Sequence, residues 1–535
     1  MKIKRVLFIL ISLLFAACCQ THERDIDRAK KAGILYVGVG PDPEGLDPHC
    51  VSGVPEQNVL RSLFEGLVRP NAKTLEASPG VAESWTISSD GLVYSFHLRK
   101  NACWSNGDPV VANDFVFSFR RLLTPSLGAS GATSFFVIKN AEKFYSGEID
   151  FSEVGVKAED DFNLTITLNQ PTHYFLSLLM QTAAYPVHRA TLEKCNGAFS
   201  RDPLWTRPGN FVSNGPFKLK QWKIGESIDV EKNEHYWNQE NVRLNGISFR
   251  PISDVATEER AFRCGQLHIT ENVPYIKLKE YHEKQPLVLK VHPYLGGFYY
   301  IFNTQVKPLD DVRVRKALNL AINRDALMGC DLFRIKHRSM FQLVPEGCQG
   351  FHCVNPLVEN AERARHLLAE AGYPNGKGFP RLMLTFNTTE GQMFLASAIQ
   401  EMWKKELNVD VELVNVEWKV YLQKRREKKY QIARGGWVGD YNDPTTFLNL
   451  WVKNNPNNFT YWSNKNYEHL LALAAKEISA EKRIHLLEEA EAIVLEELPM
   501  LPIHSSATSH LVDCSVKYWY PNLLDWHPYD CIELE

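Results

Sequence analysis

Apolar and polar positions fall into three textures along this chain. The first is an apolar run, Val6 to Leu14, interrupted only by Ser12, which follows Lys2, Lys4 and Arg5 and leads through Phe15-Ala16-Ala17 into Cys18. A basic start, a short apolar core and small residues before a cleavage point make a secretory signal, and the run falls short of the ~20 residues that cross a bilayer. Cys18 at the cleavage point has the form of a lipoprotein box, in which the acylated thiol becomes the anchor of the mature chain. The second texture is alternation: Tyr94, Phe96 and Leu98 are separated by Ser95 and His97, the period of a half-buried strand. Ile34 to Gly40, Leu382 to Phe386 and Val409 to Val416 read as further strands. The third is helical spacing. Phe115, Phe119 and Leu122 share a face behind Asn113, a candidate N-cap, with Asp114 set favourably against the helix dipole. Val314, Leu318 and Ala321 follow Asp311, while Ala364, Leu368 and Ala371 stop at Gly372, where a left-handed residue ends a helix. A helix around Ala396 to Leu407 separates the last two strands, and strand, helix, strand at that distance predicts parallel sheets with helices packed on them. The fold class is α/β, or mixed α+β.

Composition narrows the partners. The chain has 535 residues, enough for three or four domain-sized units or fewer large ones, and no window after Cys18 is apolar enough to span a membrane. A net charge of -3 gives no basic field for nucleic acid. Of the eleven cysteines, ten remain once Cys18 is acylated, and an oxidising compartment permits them to pair. Cys348 and Cys353 are spaced for a local bridge, and Cys514 and Cys531 are a second candidate pair. A metal at Cys348, His352 and Cys353 lacks the fourth ligand of a structural zinc site, so no metal and no cofactor is expected.

Catalytic constellations are not found. Gly38-x-Gly40 runs into Pro41, Pro43 and Pro48 where a dinucleotide-binding helix would have to begin. There is no GxSxG elbow and no HExxH, and Gly372 to Lys377 has the wrong spacing for a phosphate loop. His504 and His510 have no nucleophile signature beside them and read as packing or surface residues. The chain is read as a non-enzyme; an exported hydrolase, the alternative of another class, lacks its nucleophile.

Leu46-Asp-Pro-His49, Leu63-Phe-Glu-Gly-Leu67, Ala82-Glu-Ser-Trp85, Trp104 to Pro109, Asn214-Gly-Pro216 and Asp311 to Leu318 occur in order along the chain. Together they resemble the extracellular solute-binding proteins of family 5, the receptors of ABC importers for peptides, nickel chelates and related solutes. Trp205 to Asn210, Ala433-Arg-Gly-Gly-Trp437 and Asp440-Tyr-Asn-Asp-Pro444 are most similar to the oligopeptide-binding members. The resemblance implies two lobes joined by two crossing strands that act as a hinge, with an extra domain on one lobe. Residues 1–18 are then the signal peptide, 19–64 with 190–290 and 509–535 the main domain of lobe I, 65–189 the extra domain, and 291–508 lobe II.

The same resemblance implies a peptide bound in the cleft as an added strand. Ser52, Gly53 and Val54 match the segment that pairs with the peptide backbone, and Asp440 matches the carboxylate that holds the peptide's ammonium, against a reading of Asp440 as an Asx-turn residue. Arg434 matches a cation for the ligand carboxylate, and Trp418 and Trp437 match aromatics of side-chain pockets. Asn387 to Gln392 replaces a family histidine near the ligand's C-terminus, Gln392 taking its place, and Asn387 and Gln392 join the binding candidates. Ile301 stands at an acidic position of the family, and Gly296 and Val438 at its disulfide. The resemblance thus implies a monomeric, periplasmic, membrane-anchored lipoprotein that hands oligopeptides to permease and ATPase subunits. A murein-derived peptide or a metal chelate is the alternative ligand.

Overall fold

The structure is a computed structural model that describes residues 23–535 apart from 196, 202, 332, 389 and 390; the signal sequence and Cys18 lie outside the described residues. Three main sheets organise the chain. The first sets the strand Ile34–Gly38 parallel to Gly246–Arg250, with Ser227–Lys232 and Phe217–Lys223 following antiparallel. The second is antiparallel and runs Ala82–Ile87, Val93–Leu98, Asn163–Thr167, Val156–Ala158. Here Tyr94, Phe96 and Leu98 are buried as their alternation predicts. One continuous core joins these two sheets.

Several of the sequence blocks brace that core. Arg121, fully buried, holds Asp47 through both guanidinium nitrogens at 3.0 and 2.6 Å and reaches His49 Nδ1 at 3.0 Å. This ties the helix Ala112–Leu122 to the Leu46-Asp-Pro-His49 turn. Glu65 accepts from the Tyr236 hydroxyl and from Trp237 Nε1, while the Asn214 side chain bonds both backbone groups of Glu65. The helix Ala112–Leu122 buries Phe115, Phe119 and Leu122, but Asn113 is not its cap. Asp114, in the first turn, instead accepts from the Val111 N–H at 3.0 Å and from Trp104 Nε1 at 3.1 Å, so the helix begins two residues earlier than expected.

The third sheet has six strands in the order Arg338–Ser339, Met500–Leu511, Leu289–Phe302, Ile432–Val438, Leu382–Asn387, Val411–Val416. Leu382–Asn387 and Val411–Val416 are parallel and joined by the helix Gln392–Leu407, the expected strand–helix–strand unit with a longer helix. A separate apolar core covers each face. Leu289–Phe302 and Met500–Leu511 also form the crossing between the two halves, since Val512 bridges Ile269 and Ile269 bridges Val37 of the first sheet. Their pairing breaks between Pro293 opposite Ala507 and Gly297 opposite Ser505, which leaves Tyr294, Leu295 and Gly296 facing Ser506 alone. Such a bulge bends a strand pair sharply. Gly296 pairs directly with Val438, and Ile301 is buried.

The cysteine expectations are corrected. Cys348, Cys353, Cys514 and Cys531 are all free thiols. Burial and the neighbouring Glu491 carboxylate push the Cys353 thiol above its usual range, and Cys348 is buried in the core beside the six-stranded sheet. Cys348 is buried and Cys353 and Cys531 partly so, whereas Cys514 is exposed, and the local loop is held by packing in place of a bridge. His504 and His510 are buried packing residues rather than surface ones. No helix among the described residues is long and apolar enough to cross a membrane.

Candidate functional site

The strand Ile432–Val438 carries Arg434 outward over an open cavity of about 430 Å3. Arg434 Nη1 donates to Asn387 Oδ1 at 3.1 Å, and its guanidinium lies 5.8 Å from the Trp418 ring and 5.9 Å from Phe298. Among the described residues no carboxylate pairs with Arg434, and its buried Nε has no partner. Burial lowers its pKa, as expected of a cation stripped of water without a counter-ion. Gln392, at the start of its helix, lines the same cavity with a buried, unpartnered Oε1. Trp418, 45% exposed, opens the helix Trp418–Arg426, and Trp437 donates to Thr446 Oγ1 at 3.4 Å. The fold therefore brings Arg434, Asn387, Gln392, Trp418 and Trp437 together.

Asp440 and Ser52 to Val54 do not line this cavity. Asp440 follows the strand; its N–H donates to Thr446 Oγ1 at 3.1 Å and its carbonyl accepts from Gln181 Nε2 at 3.1 Å. Its carboxylate meets no donor among the described residues, and protein crowded around it pushes its pKa above the ordinary 3.8. The turn chemistry belongs to Asp443, which accepts from the Thr445 N–H and hydroxyl at 3.0 and 2.6 Å and from both Arg483 nitrogens at 2.8 Å. Ser52 and Gly53 are extended ahead of the helix Val54–Leu63. Their carbonyls are taken by Gln57, whereas their N–H groups donate to nothing among the described residues. A side chain on Gly53 would start 2.0 Å from Glu56 Oε2, so that backbone stays bare.

Sequence reasoning missed Arg425, Phe298, Phe333, His337 and His504, all of which line the cavity. Arg425 shows a helical-face signal: Trp418, Tyr421 and Arg425 recur at positions i, i+3 and i+7, and its Nε is also buried without a partner. His337 bonds the Tyr275 hydroxyl at 2.9 Å and lies 4.1 Å from the His504 ring. Burial depresses both histidines, His504 to about 4, so they are neutral at pH 7. The cavity thus offers two guanidiniums, neutral rings and no fixed anion among its described lining residues.

Two halves built on separate sheets and joined by two crossing strands, with polar groups left unpaired beside the crossing, define a two-lobed solute-binding protein. Residues 76–459 match the model of the bacterial extracellular solute-binding proteins, family 5, and the chain belongs to that family. It is 35% identical over 505 residues to the periplasmic oligopeptide-binding protein OppA of Salmonella typhimurium, covering 92% of this chain and 90% of that protein. It is also 35% identical over 479 residues to the periplasmic murein peptide-binding protein MppA of Escherichia coli, covering 88% and 87%. Among solved structures, the unliganded open form of the MppA murein tripeptide binding protein superposes with a TM-score of 0.82 at 34% identity, covering 94% of this chain and 98% of the other. Haemophilus influenzae OppA in complex with RPPGFSPFR gives 0.77 at 31% identity, covering 96% and 100%.

Proposed function

We propose that this chain is an extracytoplasmic receptor that captures oligopeptides and delivers them to the permease and ATPase subunits of an ABC importer. The observation that carries the reading is that one lobe presents both a carboxylate without a donor, Asp440, and two guanidiniums with buried unpartnered Nε atoms, Arg434 and Arg425, beside the crossing. A zwitterionic peptide complements both, because ends withdrawn from water need charged partners. In this reading Asp440 holds the ammonium, Arg434 the carboxylate with Gln392 and Asn387 beside it, and Trp418 and Trp437 flank side chains. The bare N–H groups of Ser52 and Gly53, with Val54, pair with the peptide backbone as a neighbouring strand would.

The segment limits follow the same proposal: 19–64, 190–290 and 509–535 as lobe I, 65–189 as its extra domain, and 291–508 as lobe II. Cys18 is the lipid anchor of a periplasmic, monomeric protein in this reading. Two cations over one cavity also favour a second ligand, a murein-derived peptide with an extra carboxylate.

Calorimetry tests the charge assignment. N-acetylation should weaken binding to the wild type on the order of 2–5 kcal/mol and add much less in Asp440→Ala. Equal binding of acetylated and free peptides by the wild type would remove Asp440 as the ammonium site. Mass spectrometry of the ligand that co-purifies decides between ordinary and murein-derived peptides.

A further inference from the structure

Behind the helix Val54–Leu63, the end of the second crossing strand meets the C-terminal segment around a small enclosed cavity. His510, Asp525 and His527 converge there, with one donor atom from each lying within 4.8 Å of the others. His510 Nε2 stands 3.0 Å from both Asp525 oxygens, and His527 Nε2 stands 3.0 Å from Oδ1. We propose that these three side chains hold a divalent transition metal ion of the zinc class.

The donor set fits that chemistry. Two imidazoles and a carboxylate are ligands that zinc accepts, and ligands about 2.0–2.2 Å from a tetrahedral ion stand roughly 3.4 Å apart. The imidazole–carboxylate separations of 3.0 Å need open by only a few tenths of an ångström to admit the ion, with the imidazole–imidazole separation, at most 4.8 Å, adjusting to match. Part of its outer shell is in place, although the buried His527 Nδ1 has no partner among the described residues. His510 Nδ1 donates to the Thr270 carbonyl at 2.9 Å, so that Nε2 is the atom that faces the ion. The Thr508 hydroxyl donates to Asp525 at 3.2 Å, and Trp519 stacks on His527 with ring centres 3.5 Å apart. The Thr270 carbonyl fixes the tautomer of His510, and the Trp519 stack fixes the plane of His527. Glu271 lines the same cavity and accepts from Asn58 Nδ2 at 3.1 Å, while Asp525 supplies the carboxylate among the three ligands.

A proton on His510 Nε2 is the competing occupant, and with it the cluster is a plain imidazolium–carboxylate pair. Binding releases that proton to solvent as the Nε2 lone pair bonds the metal. The ion ties the C-terminal segment to the crossing strand, behind Asn58 and Arg61 of the helix that Ser52 and Gly53 precede.

Crystals of the full chain soaked in zinc chloride, with data collected at the zinc edge, test the site without a substitution. The expected result is an anomalous peak bonded to His510 Nε2, Asp525 and His527 Nε2; a peak at cysteines only, or none, overturns the proposal. In solution, EDTA-stripped protein titrated with zinc chloride should bind one tight equivalent, weakened about 100-fold or more in His527→Gln and in Asp525→Asn. Peptide binding should survive in both variants. Equal zinc affinity in wild type and folded His527→Gln also overturns the proposal.

Discussion

Asp440 and Asp443 stand three positions apart in one turn and differ in everything but their chemistry. Asp443 is buried and spends its oxygens on Thr445 and Arg483, whereas Asp440 keeps a partly desolvated carboxylate without a donor. An Asx turn is legible in this stretch, but which aspartate closes it depends on Arg483, forty residues away. Glu491 shows the same logic with a measurable consequence. Buried, and accepting from the Leu343 and Val344 N–H groups at 2.9 and 2.7 Å, it has a pKa pushed by burial to about 7 from 4.5. The folded state then holds a proton that the unfolded state has released, so stability is fully present below about pH 4.5 and is lost as pH rises to 7. That loss is on the order of 3 kcal/mol. Glu491→Gln keeps an acceptor for both N–H groups and removes the charge. It should exceed the wild type in stability at pH 8, with the gap narrowing towards pH 4.5; urea titrations at the two pH values check this, and parallel curves would refute the assignment.

Elements were legible where one periodicity decides them. The strand around Tyr94 to Leu98 and the helix before Gly372 follow local patterns, and Gly372 closes a Schellman motif, its N–H on Ala369 and that of Tyr373 on Leu368. Asn113 was misread as a cap because Asp114 reaches back to the Val111 N–H, a choice fixed by Trp104 from the preceding turn. Two glycines separate the local from the tertiary demand. Gly372 has φ +98° and open space around it, so Gly372→Ala costs only the left-handed strain of about 1–2 kcal/mol. Gly215 has ordinary backbone angles, yet a Cβ there would lie 2.5 Å from the Leu63 carbonyl carbon and 2.6 Å from Phe64 N. These are backbone atoms and cannot swing aside. Gly215→Ala should therefore cost more than Gly372→Ala and lower the melting temperature further, as differential scanning calorimetry can read; the reverse order would contradict the packing described for the Asn214-Gly-Pro216 block.

At the scale of the whole molecule, what the sequence could not place was the meeting of distant segments. Residue types for the cavity were readable one by one, but Arg425 and the His337–His504 pair join Arg434 only through the six-stranded sheet. The His510–Asp525–His527 cluster was invisible for the same reason: its residues adjoin only where the C-terminal segment folds back on the crossing strand. The charged and bare groups also imply motion. Ser52 to Val54 lie outside the cavity that holds Arg434, and in the proposed division they belong to lobe I whereas Arg434 and Asp440 belong to lobe II, so a peptide touching both sets bridges the lobes. The crossing is built for bending, since three residues of one strand face Ser506 alone at the register break. Peptide should favour a closed arrangement of the lobes, because closure adds the Ser52 and Gly53 backbone of lobe I to the contacts that Asp440 and Arg434 make from lobe II. Small-angle scattering should then give a smaller radius of gyration with saturating peptide than without, and Asp440→Ala should need more peptide to reach the same value. An unchanged radius under calorimetrically verified saturation would mean that the peptide binds one lobe alone, and the hinge reading of the two crossing strands would fall.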